Sequence, residues 1–495
     1  MPHIFLYGPP GTGKSTIGKI LARKLKIPYY DLDREVEINI GKRISDIMAQ
    51  EGEEMFRAYE SSALKSFVGV KDSVIALGGG ALLRESNRFI AEREGKVLLL
   101  MAELPTLLER VQRDPGKRPL IAGDLKNKLT ALLEKRKEHY NSFPLQHHVD
   151  NKPAEQNARE AQIKLGRHHL SAMGEYDVLV GQIGNPPFGN LIVTDENVAK
   201  HHLEKFGDIK SVIVPAGEEH KNLETVSYLW KAFLENELDR KSTVIALGGG
   251  VIGDMTGFAA STYMRGIDWI GIPTTLLSMV DASVGGKTGF DLPEGKNLIG
   301  SFHPPKLVIA DPSLLLTLTD RELRSGMAEV VKHGIISDPE LFAMCQRGMD
   351  WVKANLEDVV NHAMAVKIQV IEEDPYEKGI RAKLNLGHTV GHAVELVSKF
   401  ELRHGEAIAI GTAAEARYAA RVGLASQSTV EAIESTFEAL GLPIHIPEEM
   451  PRDEIIQAMR MDKKKNAKSI RFALPVEIGK VELVNVDDLE SVISE

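Results

Sequence analysis

Two groups of residues have types and spacing suited to chemistry, and they lie far apart in the chain. Residues 8–15 read Gly-Pro-Pro-Gly-Thr-Gly-Lys-Ser, a P-loop in which backbone N–H groups and the lysine bind phosphate oxygens. Residues 385–392 read Asn-Leu-Gly-His-Thr-Val-Gly-His, and His404 follows in His-Gly-Glu, a set suited to a catalytic metal. Because neither motif lies inside the fold unit of the other, we expect a fusion of two enzymes.

The elements around the P-loop predict a parallel α/β sheet. Short apolar runs alternate with helical stretches: we expect buried strands at Ile4–Tyr7, Val74–Leu77 and Val97–Met101, and helices at Ser15–Leu25, Lys126–Tyr140 and Ala154–Leu165. The small, polar segment 166–174 is typical of a linker.

A second α/β pattern follows, and then a mainly helical one. Strands are expected at Tyr176–Val180, Leu191–Val193, Val212–Val214, Val244–Leu247, Trp269–Ile272 and Lys306–Ala310, and a small hairpin over residues 475–483. The fold class is therefore α/β. We predict a P-loop domain over residues 1–168, a linker over 169–174, an α/β domain over 175–316 and a helical domain over 317–495.

Composition narrows the class of protein. Sixty basic and seventy acidic residues give a net charge of −10, which favours solubility and argues against a nucleic-acid partner. No apolar run reaches the roughly 18 residues of a membrane span, and the first strand starts without a signal-peptide pattern. The single cysteine, Cys345, fits a reducing compartment. We expect a cytoplasmic protein without a membrane partner.

The acceptor side of the P-loop enzyme is indicated by a further series of motifs. Asp31-x-Asp33 follows a strand, Arg57 lies in Phe-Arg-x-x-Glu, and Gly78-Gly79-Gly80 ends another strand. Arg110 lies on a helix. Arg118-Pro-Leu follows a stretch suited to a lid, and Arg136-x-x-x-Tyr140 completes the series. Taken singly, each arginine is typical of a solvated surface group.

In this order and spacing the motifs resemble the shikimate kinase family, over residues 1–168. The resemblance implies that Asp33 binds the acceptor hydroxyl of shikimate as a base, and that Ser15 and Asp31 hold Mg²⁺. It also implies that ATP binds at Gly11, Gly13, Lys14, Ser15, Thr16 and Arg110. Arg57 and Arg136 would clamp the shikimate carboxylate, Gly79 and Gly80 would approach its ring, and Arg118 would neutralise the transferring phosphoryl group.

The histidines of the second site suit a zinc ion. His388 and His392 are four residues apart, so on a helix they face the same way. His404 follows after a turn, and Glu329 lies on an earlier helix. Three N/O ligands with an open fourth position are the pattern of catalytic zinc. The spacing alone would make both His388 and His392 ligands. We interpret the other noted histidines as structural or surface groups: His168, His169, His201, His202 and His333.

A glycine turn over residues 248–254 follows a strand and opens a helix, as in a phosphate cradle for a dinucleotide. With the segments 273–278, 281–288, 296–297 and 381–388, it resembles the 3-dehydroquinate synthase family over residues 175–495. That family pairs a nucleotide-binding α/β domain with a helical domain.

The resemblance implies a role for each matching residue. Glu329, His388 and His404 match the metal ligands, for zinc or cobalt, and His392 matches a proton relay. NAD contacts match Asp195, Asn197, Glu218, Lys221, Gly249, Gly250, Asp254, Thr274 and Thr275. The substrate shell matches Arg265, Asp281, Lys287, Lys296, Asn297, Lys332, Lys367, Arg381, Asn385 and either Lys463 or Lys464.

Together the resemblances imply a bifunctional enzyme of aromatic amino-acid biosynthesis, with a homodimer formed through the synthase half. One reaction would phosphorylate shikimate, and the other would convert 3-deoxy-D-arabino-heptulosonate 7-phosphate to 3-dehydroquinate. Alternatives for the second half are another sugar-phosphate cyclase, of the 2-deoxy-scyllo-inosose or valiolone type, and a metal-dependent polyol dehydrogenase. A scaffold that has lost one activity is a third. Arg381, Asn385 and Lys287 favour an acidic substrate.

Overall fold

The computed structural model describes residues 2–113, 124–184, 186–462 and 469–494, and it divides into two compact units, Met1–His169 and Leu170–Glu495. A strand, Arg167–Leu170, crosses this division, inside the segment that we expected to be a linker. Among the described residues, no helix combines the length and the apolar character that a membrane crossing requires.

The first unit is a parallel sheet with helices on both faces. Its strands are β1 (His3–Tyr7), β2 (Tyr29–Asp31), β3 (Val74–Ala76), β4 (Gly95–Met101) and β5 (Gln146–His148), in the order β2–β3–β1–β4–β5. Its helices are α1 (Lys14–Leu25), α2 (Leu32–Ile40), α3 (Ile44–Gln50), α4 (Gly52–Lys65), α5 (Glu85–Glu94), α6 (Leu104–Gln112), α7 (Leu125–Asn141) and α8 (Ala154–Leu165). The parallel α/β class predicted from the alternation of elements is confirmed.

The central strand β1 explains why this sheet is covered on both faces. Ile4 and Leu6 pack in one apolar cluster with α1 and α8, whereas Phe5 and Tyr7 pack in another with α2 and α4. Successive side chains of a strand point to opposite faces, so an unbroken apolar run must be buried twice. The strand ends at Tyr7, and the P-loop follows at the edge where parallel strands present their carboxyl ends.

The strand that crosses the division is β6 (Arg167–Leu170). The sheet of the second unit contains β7 (Tyr176–Val180), β8 (Leu191–Asp195), β9 (Ser211–Val214), β10 (Thr243–Gly248), β11 (Asp268–Pro273) and β14 (Leu307–Ala310), in the order β7–β14–β11–β10–β8–β9 and all parallel. Its helices are α9 (Glu196–His202), α10 (Leu223–Glu235) and α11 (Gly250–Thr262). An antiparallel hairpin, β12 (Lys287–Leu292) and β13 (Gly295–Phe302), was not predicted.

The remainder of the second unit is helical, as predicted. It contains α12 (Asp320–Ser337), α13 (Pro339–Cys345), α14 (Met349–Ala354), α15 (Leu356–Glu373), α16 (His388–Val397), α17 (His404–Arg421), α18 (Gln427–Ala439), α19 (Arg452–Asp462) and α20 (Leu489–Ile493). A hairpin of β15 (Ile470–Glu477) and β16 (Lys480–Val486) turns at Gly479, within the predicted hairpin segment.

Helix α17 approaches α12 and the start of α16 so closely that two of its positions must be glycine. A Cβ at Gly405, on α17, would lie 1.8 Å from the carbonyl oxygen of Ser325 on α12, and a Cβ at Gly411 would lie 2.1 Å from the carbonyl oxygen of Gly387. Neither position can accept a side chain unless a backbone moves. Helix α17 thus packs against both α12 and the start of α16, which brings His388 and His404 to Glu329.

A buried ion pair ties the two ends of the first unit together. Arg167 pairs with Asp72, both nearly inaccessible, and its Nη1 donates to the carbonyl oxygen of Pro2 at 3.1 Å. Removing one partner leaves the other charge buried and uncompensated.

We therefore expect Asp72→Ala to destabilise the first unit by roughly 3–5 kcal/mol and the second unit by little. Arg23→Ala is the matched control, because its pair with Glu155 leaves the two side chains 70% and 58% exposed and should cost at most about 1 kcal/mol. Hydrogen exchange in increasing urea, read separately for peptides of each unit, measures both. Equal losses from the two variants would contradict a structural role for the buried pair.

Candidate active sites

The P-loop has the backbone shape that phosphate binding needs. Gly8, Gly11 and Gly13 have φ angles of 135°, 92° and 85°, a region that side chains disfavour. Helix α1 begins at Lys14, so its positive end faces the loop. The ammonium of Lys14 donates to the carbonyl oxygens of Gly8 and Pro9 at 2.8 and 3.0 Å. The lysine is thus held over the cradle.

Next to this cradle lie the residues that could hold a magnesium ion. Ser15 Oγ donates to Asp31 Oδ2 at 2.9 Å, and Tyr29 donates to the same oxygen at 3.3 Å. Thr16 is exposed beside them at the start of α1. A hydroxyl and a carboxylate in contact at a phosphate cradle are the oxygen ligands that Mg²⁺ prefers.

Two carboxyl groups face the turn after β3: Glu60 is fully buried, and Asp33 is partly buried with its Oδ1 inaccessible. A Cβ at Gly78 would lie 2.8 Å from Glu60 Oε1 and 2.9 Å from Asp33 Oδ1, so both groups line this turn. Neither oxygen has a hydrogen-bond partner among the described residues. Burial and then the Asp31 charge raise the pKa of Asp33 to about 6, and burial raises the pKa of Glu60 to about 7. Asp33 Oδ1 is therefore available to a ligand.

The two arginines predicted to clamp a carboxylate converge on the same turn. Arg57 Nη1 donates to Glu60 Oε2 at 2.8 Å, and its guanidinium lies 2.6 Å from where a Cβ of Gly80 would stand. Arg136 Nη1 donates to the Gly79 carbonyl oxygen at 2.7 Å. The glycines are needed here because a side chain would displace the guanidinium of Arg57. Spacing did not reveal the part of Glu60, which orients Arg57 from the next turn of α4.

Of the two other predicted arginines, the structure describes Arg110 only. Arg110 lies on α6, which touches the P-loop at Gly11, and its guanidinium donates to the Val149 carbonyl oxygen at 3.1 Å. Arg118 lies outside the described residues.

In the second unit, the predicted metal ligands converge on one point. Glu329 is fully buried on α12, and its Oε1 lies 3.6 Å from both His388 Nε2 and His404 Nε2. Nitrogen atoms of His388, His392 and His404 all lie within 4.8 Å of one another. In a tetrahedral zinc site with bonds of about 2.0–2.1 Å, ligand atoms are about 3.4 Å apart. Glu329, His388 and His404 therefore fit a divalent metal ion, with His392 beside them and more exposed.

Hydrogen bonds behind the ligands orient the two imidazoles. His388 Nδ1 lies 3.1 Å from the carbonyl oxygen of Leu386, and His404 Nδ1 lies 3.2 Å from Glu395 Oε2. Each contact leaves Nε2 directed at the site, the usual arrangement behind metal-bound histidines. Burial lowers the pKa of His404, but the Glu329 and Glu395 carboxylates raise it to about 9. The surroundings thus favour a cation at this point. Sequence reasoning missed Glu395, although it lies on α16 with His388.

A group of basic residues surrounds the metal ligands. Lys332 is buried in an ion pair with Glu329, and Lys367 Nζ lies 2.5 Å from Asp281 Oδ1. Burial raises the pKa of Asp281, but the nearby cations, with Lys367 foremost, bring it well below its usual value. The carboxyl group is therefore ionised. His333 is fully buried beside Asp281 and Glu329, where burial and Lys332 lower its pKa to about 3. It is a buried neighbour of the site, whereas the sequence analysis interpreted it only as a structural or surface histidine.

Glu377 joins two members of the predicted substrate shell and was also missed. Its carboxylate accepts from Lys287 Nζ at 2.9 Å and from Asn385 Nδ2 at 3.4 Å. Arg381 lies close by, 3.0 Å from where a Cβ of Gly285 would stand. An acidic residue was not expected among groups selected for binding an anion. It holds Lys287 and Asn385 in one place.

The nucleotide cradle has the predicted form. Helix α11 starts at Gly250, after the N-cap Gly249, and a Cβ at Gly249 would lie 3.2 Å from the Thr275 side chain. Thr274 Oγ1 is buried and has no hydrogen-bond partner among the described residues, so it is available to a ligand. A helix N-terminus without covering side chains suits a pyrophosphate. These residues fit a dinucleotide.

The remaining predicted NAD contacts surround this cradle or lie on neighbouring elements. Lys221 Nζ donates to Asp254 Oδ2 at 2.7 Å and to Asn297 Oδ1 at 2.6 Å, which ties the β12–β13 hairpin to α11. Asp195 caps α9 by accepting from Asn197 N at 2.9 Å, and Glu218 begins a short 3₁₀ turn.

Two further predicted shell residues, Lys296 and Arg265, lie in different places. Lys296 donates to Glu395 Oε1 at 3.2 Å and so lies at the histidine site. Arg265 is exposed after α11 with a φ of 69°, and no contact among the described residues joins it to the rest of the shell. Lys463 and Lys464 lie outside the described residues.

Comparison with known proteins accounts for both halves. Residues 10–165 match the shikimate kinase family model, and residues 211–325 and 326–465 match the N-terminal and C-terminal models of 3-dehydroquinate synthase. The 3-dehydroquinate synthase of Nostoc punctiforme is 44% identical over 327 residues, which cover 63% of this chain and 90% of the relative. That of Shewanella frigidimarina is 44% identical over 319 residues, 61% of this chain and 89% of the relative.

Solved structures agree on the fold of the second unit. A 2-epi-5-epi-valiolone synthase from Streptomyces hygroscopicus subsp. jinggangensis, with NAD⁺ and Zn²⁺ bound, is 29% identical with a TM-score of 0.58 and covers 64% of this chain and 94% of its own. A 2-deoxy-scyllo-inosose synthase with carbaglucose-6-phosphate, NAD⁺ and Co²⁺ is 28% identical with a TM-score of 0.59, covering 65% and 96%. The chain belongs to the 3-dehydroquinate synthase family, and it carries a shikimate kinase domain ahead of the synthase domains.

Proposed function

We propose that this protein catalyses two reactions of the shikimate pathway. One is ATP-dependent phosphorylation of shikimate to shikimate 3-phosphate. The other converts 3-deoxy-D-arabino-heptulosonate 7-phosphate to 3-dehydroquinate and releases phosphate, with NAD and zinc or cobalt. The observation that carries the proposal is the convergence of Glu329, His388 and His404 beside basic residues, in a chain 44% identical to a 3-dehydroquinate synthase.

In the kinase half, the protein binds two anionic substrates, ATP and shikimate, so that a phosphoryl group can pass from one to the other. The P-loop N–H groups and Lys14 would bind the ATP phosphates, and Ser15 and Asp31 would hold Mg²⁺, which would neutralise charge on the phosphates. Arg57 and Arg136 bind the shikimate carboxylate as planar, two-pronged donors. Asp33 accepts the proton of the attacking hydroxyl through its buried Oδ1. Gly79 and Gly80 let the ring approach the turn, Arg110 packs near the adenine, and Arg118 supplies a further positive charge.

In the synthase half, Glu329, His388 and His404 would hold the metal ion. Bound there, zinc or cobalt polarises neighbouring substrate hydroxyls, and NAD supplies a hydride acceptor that is restored within each turnover. NAD binds along the start of α11 at Gly249 and Gly250, with Asp195, Asn197, Glu218, Lys221, Asp254, Thr274 and Thr275 around it. His392 is the proton relay, since it lies beside the ligands and is more exposed than they are.

The acidity of the substrate explains the basic shell. The heptulosonate phosphate has a carboxylate and a phosphate, and both need fixed cations in a site of low dielectric constant. Lys287, Lys332, Lys367 and Arg381 supply these cations, and the neutral amide of Asn385 adds a hydrogen-bond donor. Further contacts come from Asp281, Lys296, Asn297, Arg265 and Lys463 or Lys464.

We propose further that the protein is a cytoplasmic homodimer joined through the synthase half. The β12–β13 hairpin supports this, because Leu298, Ile299 and Phe302 are 58%, 40% and 56% exposed on one strand. Clustered exposed apolar side chains mark interaction surfaces.

A second candidate for the synthase half is a cyclase of neutral sugar phosphates, as the names of the structural neighbours indicate. The test measures phosphate release from the heptulosonate phosphate, sedoheptulose 7-phosphate and glucose 6-phosphate, with NAD, with and without a chelator. We expect chelator-sensitive release from the acidic sugar alone, with 3-dehydroquinate as product and no net NADH. Release from a neutral sugar instead would replace the proposed activity.

The two activities should respond to different single substitutions. Lys14→Met removes the ammonium over the P-loop and should lower shikimate phosphorylation by roughly 10²–10³-fold, while cyclisation is retained. His404→Ala should abolish cyclisation and spare phosphorylation. Both activities are measured on each purified variant. Loss of both from either substitution would contradict separate sites.

The contact between His404 and Glu395 predicts an effect on metal binding. Glu395→Gln weakens the acceptor that orients His404, so the affinity for Zn²⁺ should fall about 10–100-fold. Competition with a chromogenic chelator measures this affinity without any assay of turnover. Glu373→Gln is the control, because Glu373 is exposed on α15 and accepts from Gln369 on the same helix, at 2.9 Å. An unchanged zinc affinity in Glu395→Gln would exclude the orienting role.

A further inference from the structure

The carbonyl oxygen of Gly79 is the meeting point of three side chains in the kinase site. Arg136 Nη1, Tyr140 Oη and Tyr7 Oη lie 2.7, 2.8 and 3.3 Å from it. A carbonyl oxygen has two lone pairs, so three donors are more than a turn needs for satisfaction. Their arrangement fixes the position of this peptide group and of the guanidinium that contacts it.

Tyr7 is in turn held by His139. The Tyr7 hydroxyl lies 3.0 Å from His139 Nε2 and has a single proton. When that proton is donated to Gly79, the hydroxyl can only accept from His139, so Nε2 must carry a hydrogen. The three groups then form one directed chain, in which His139 donates to Tyr7 and Tyr7 donates to Gly79.

The middle member of this hydrogen-bond chain, Tyr7, lies on the strand that enters the P-loop. Tyr7 is the last residue of β1 and precedes Gly8, and a Cβ at Gly79 would lie 3.2 Å from the Gly8 carbonyl oxygen. The Tyr7 ring packs at 5.3 Å from Phe143 and 5.7 Å from Tyr140, between centroids. The hydroxyl is thus delivered by a ring that is itself fixed in the core.

We propose that Tyr7 and His139 are positioning residues for the shikimate carboxylate, which act through the Gly79 carbonyl on Arg136 and on the Gly79–Gly80 turn. This inference rests on the proposed kinase function and deepens it. The hydroxyl of Tyr7 holds the turn in place before the acceptor binds. Its loss therefore affects acceptor binding more than the transfer step, and it leaves ATP binding at the P-loop unchanged.

Tyr7→Phe tests the hydroxyl alone, because the ring and its packing remain. We expect the KM for shikimate to rise about three- to tenfold, which corresponds to one hydrogen bond. The kcat and the KM for ATP should stay within about twofold. Tyr59→Phe is the matched control: its hydroxyl donates to Glu51 at 2.9 Å, away from Gly79, and its kinetics should equal those of the unmodified protein.

Two substitutions at His139 separate hydrogen bonding from packing. His139→Leu removes the donor and should act like Tyr7→Phe, whereas His139→Gln keeps an N–H donor and should retain most of the affinity for shikimate. In the double variant Tyr7→Phe/His139→Leu, the KM for shikimate should not exceed that of the more impaired single variant. Both substitutions interrupt the same hydrogen-bond chain, so their effects should not add. Hydrogen exchange in peptides of the first unit serves as the measure of folding, because Tyr7 and His139 lie in that unit.

A readout that is independent of turnover keeps this inference distinct from the proposed function. Phenylglyoxal labels accessible arginines, and peptide mass spectrometry locates the label. Tyr7→Phe should speed labelling of Arg136 about two- to fivefold, while Tyr59→Phe leaves it unchanged. If the unmodified protein does not phosphorylate shikimate, the proposed function fails and labelling alone decides the inference. Unchanged labelling of Arg136, or an unchanged KM for shikimate in an active kinase, would overturn it.

Discussion

The synthase half depends on the burial of one carboxylate, that of Glu329. An ionised carboxylate in a protein interior costs several kcal/mol unless cations compensate it. Lys332 supplies one cation from the next turn of α12, and two histidine nitrogens face the other oxygen. The packing of α17 against α12 and against the start of α16, without side chains at Gly405 and Gly411, makes this arrangement possible. A divalent metal ion at the same point would complete the compensation of charge.

The kinase half meets a related constraint with the opposite outcome. Asp33 and Glu60 are buried against the same glycine turn, but Arg57 is paired with Glu60 rather than with Asp33. Burial raises the pKa of both carboxyl groups. Glu60 is thereby used to hold an arginine, and Asp33 Oδ1 is left available to a substrate proton. A carboxyl group thus has a structural role where it is paired with an arginine, as in Glu60, and a chemical role where it is not, as in Asp33.

The sequence predicted the elements whose apolar runs are buried on both faces, such as β1, β3 and β10. It did not reveal the β12–β13 hairpin, because much of β13 is exposed and its side chains need no apolar pattern. The predicted ligands Glu329, His388 and His404 converge in the structure. They could be predicted because the order of the motifs indicated a family, not because spacing alone selected them. Glu395, Glu377 and Tyr7 were missed for one physical reason. Each acts on another side chain or on a carbonyl group, and neither spacing nor residue type encodes such a contact.

The missed acids have a common role that bears on how both sites bind anions. Lys287 is paired with Glu377, Lys296 with Glu395 and Arg57 with Glu60, so these basic groups of the binding shells are already held by carboxylates. Such pairs reduce the ordering that a substrate must impose on long, flexible side chains, which would otherwise weaken binding. They also limit the gain from each new contact, because the substrate anion shares a cation that is partly neutralised. In the synthase half, a substrate that carries a carboxylate as well as a phosphate can exceed this cost, whereas a sugar phosphate without a carboxylate gains less. The fixed pairs of Lys287 and Lys296 therefore favour the proposed heptulosonate phosphate over sugar phosphates that lack a carboxylate.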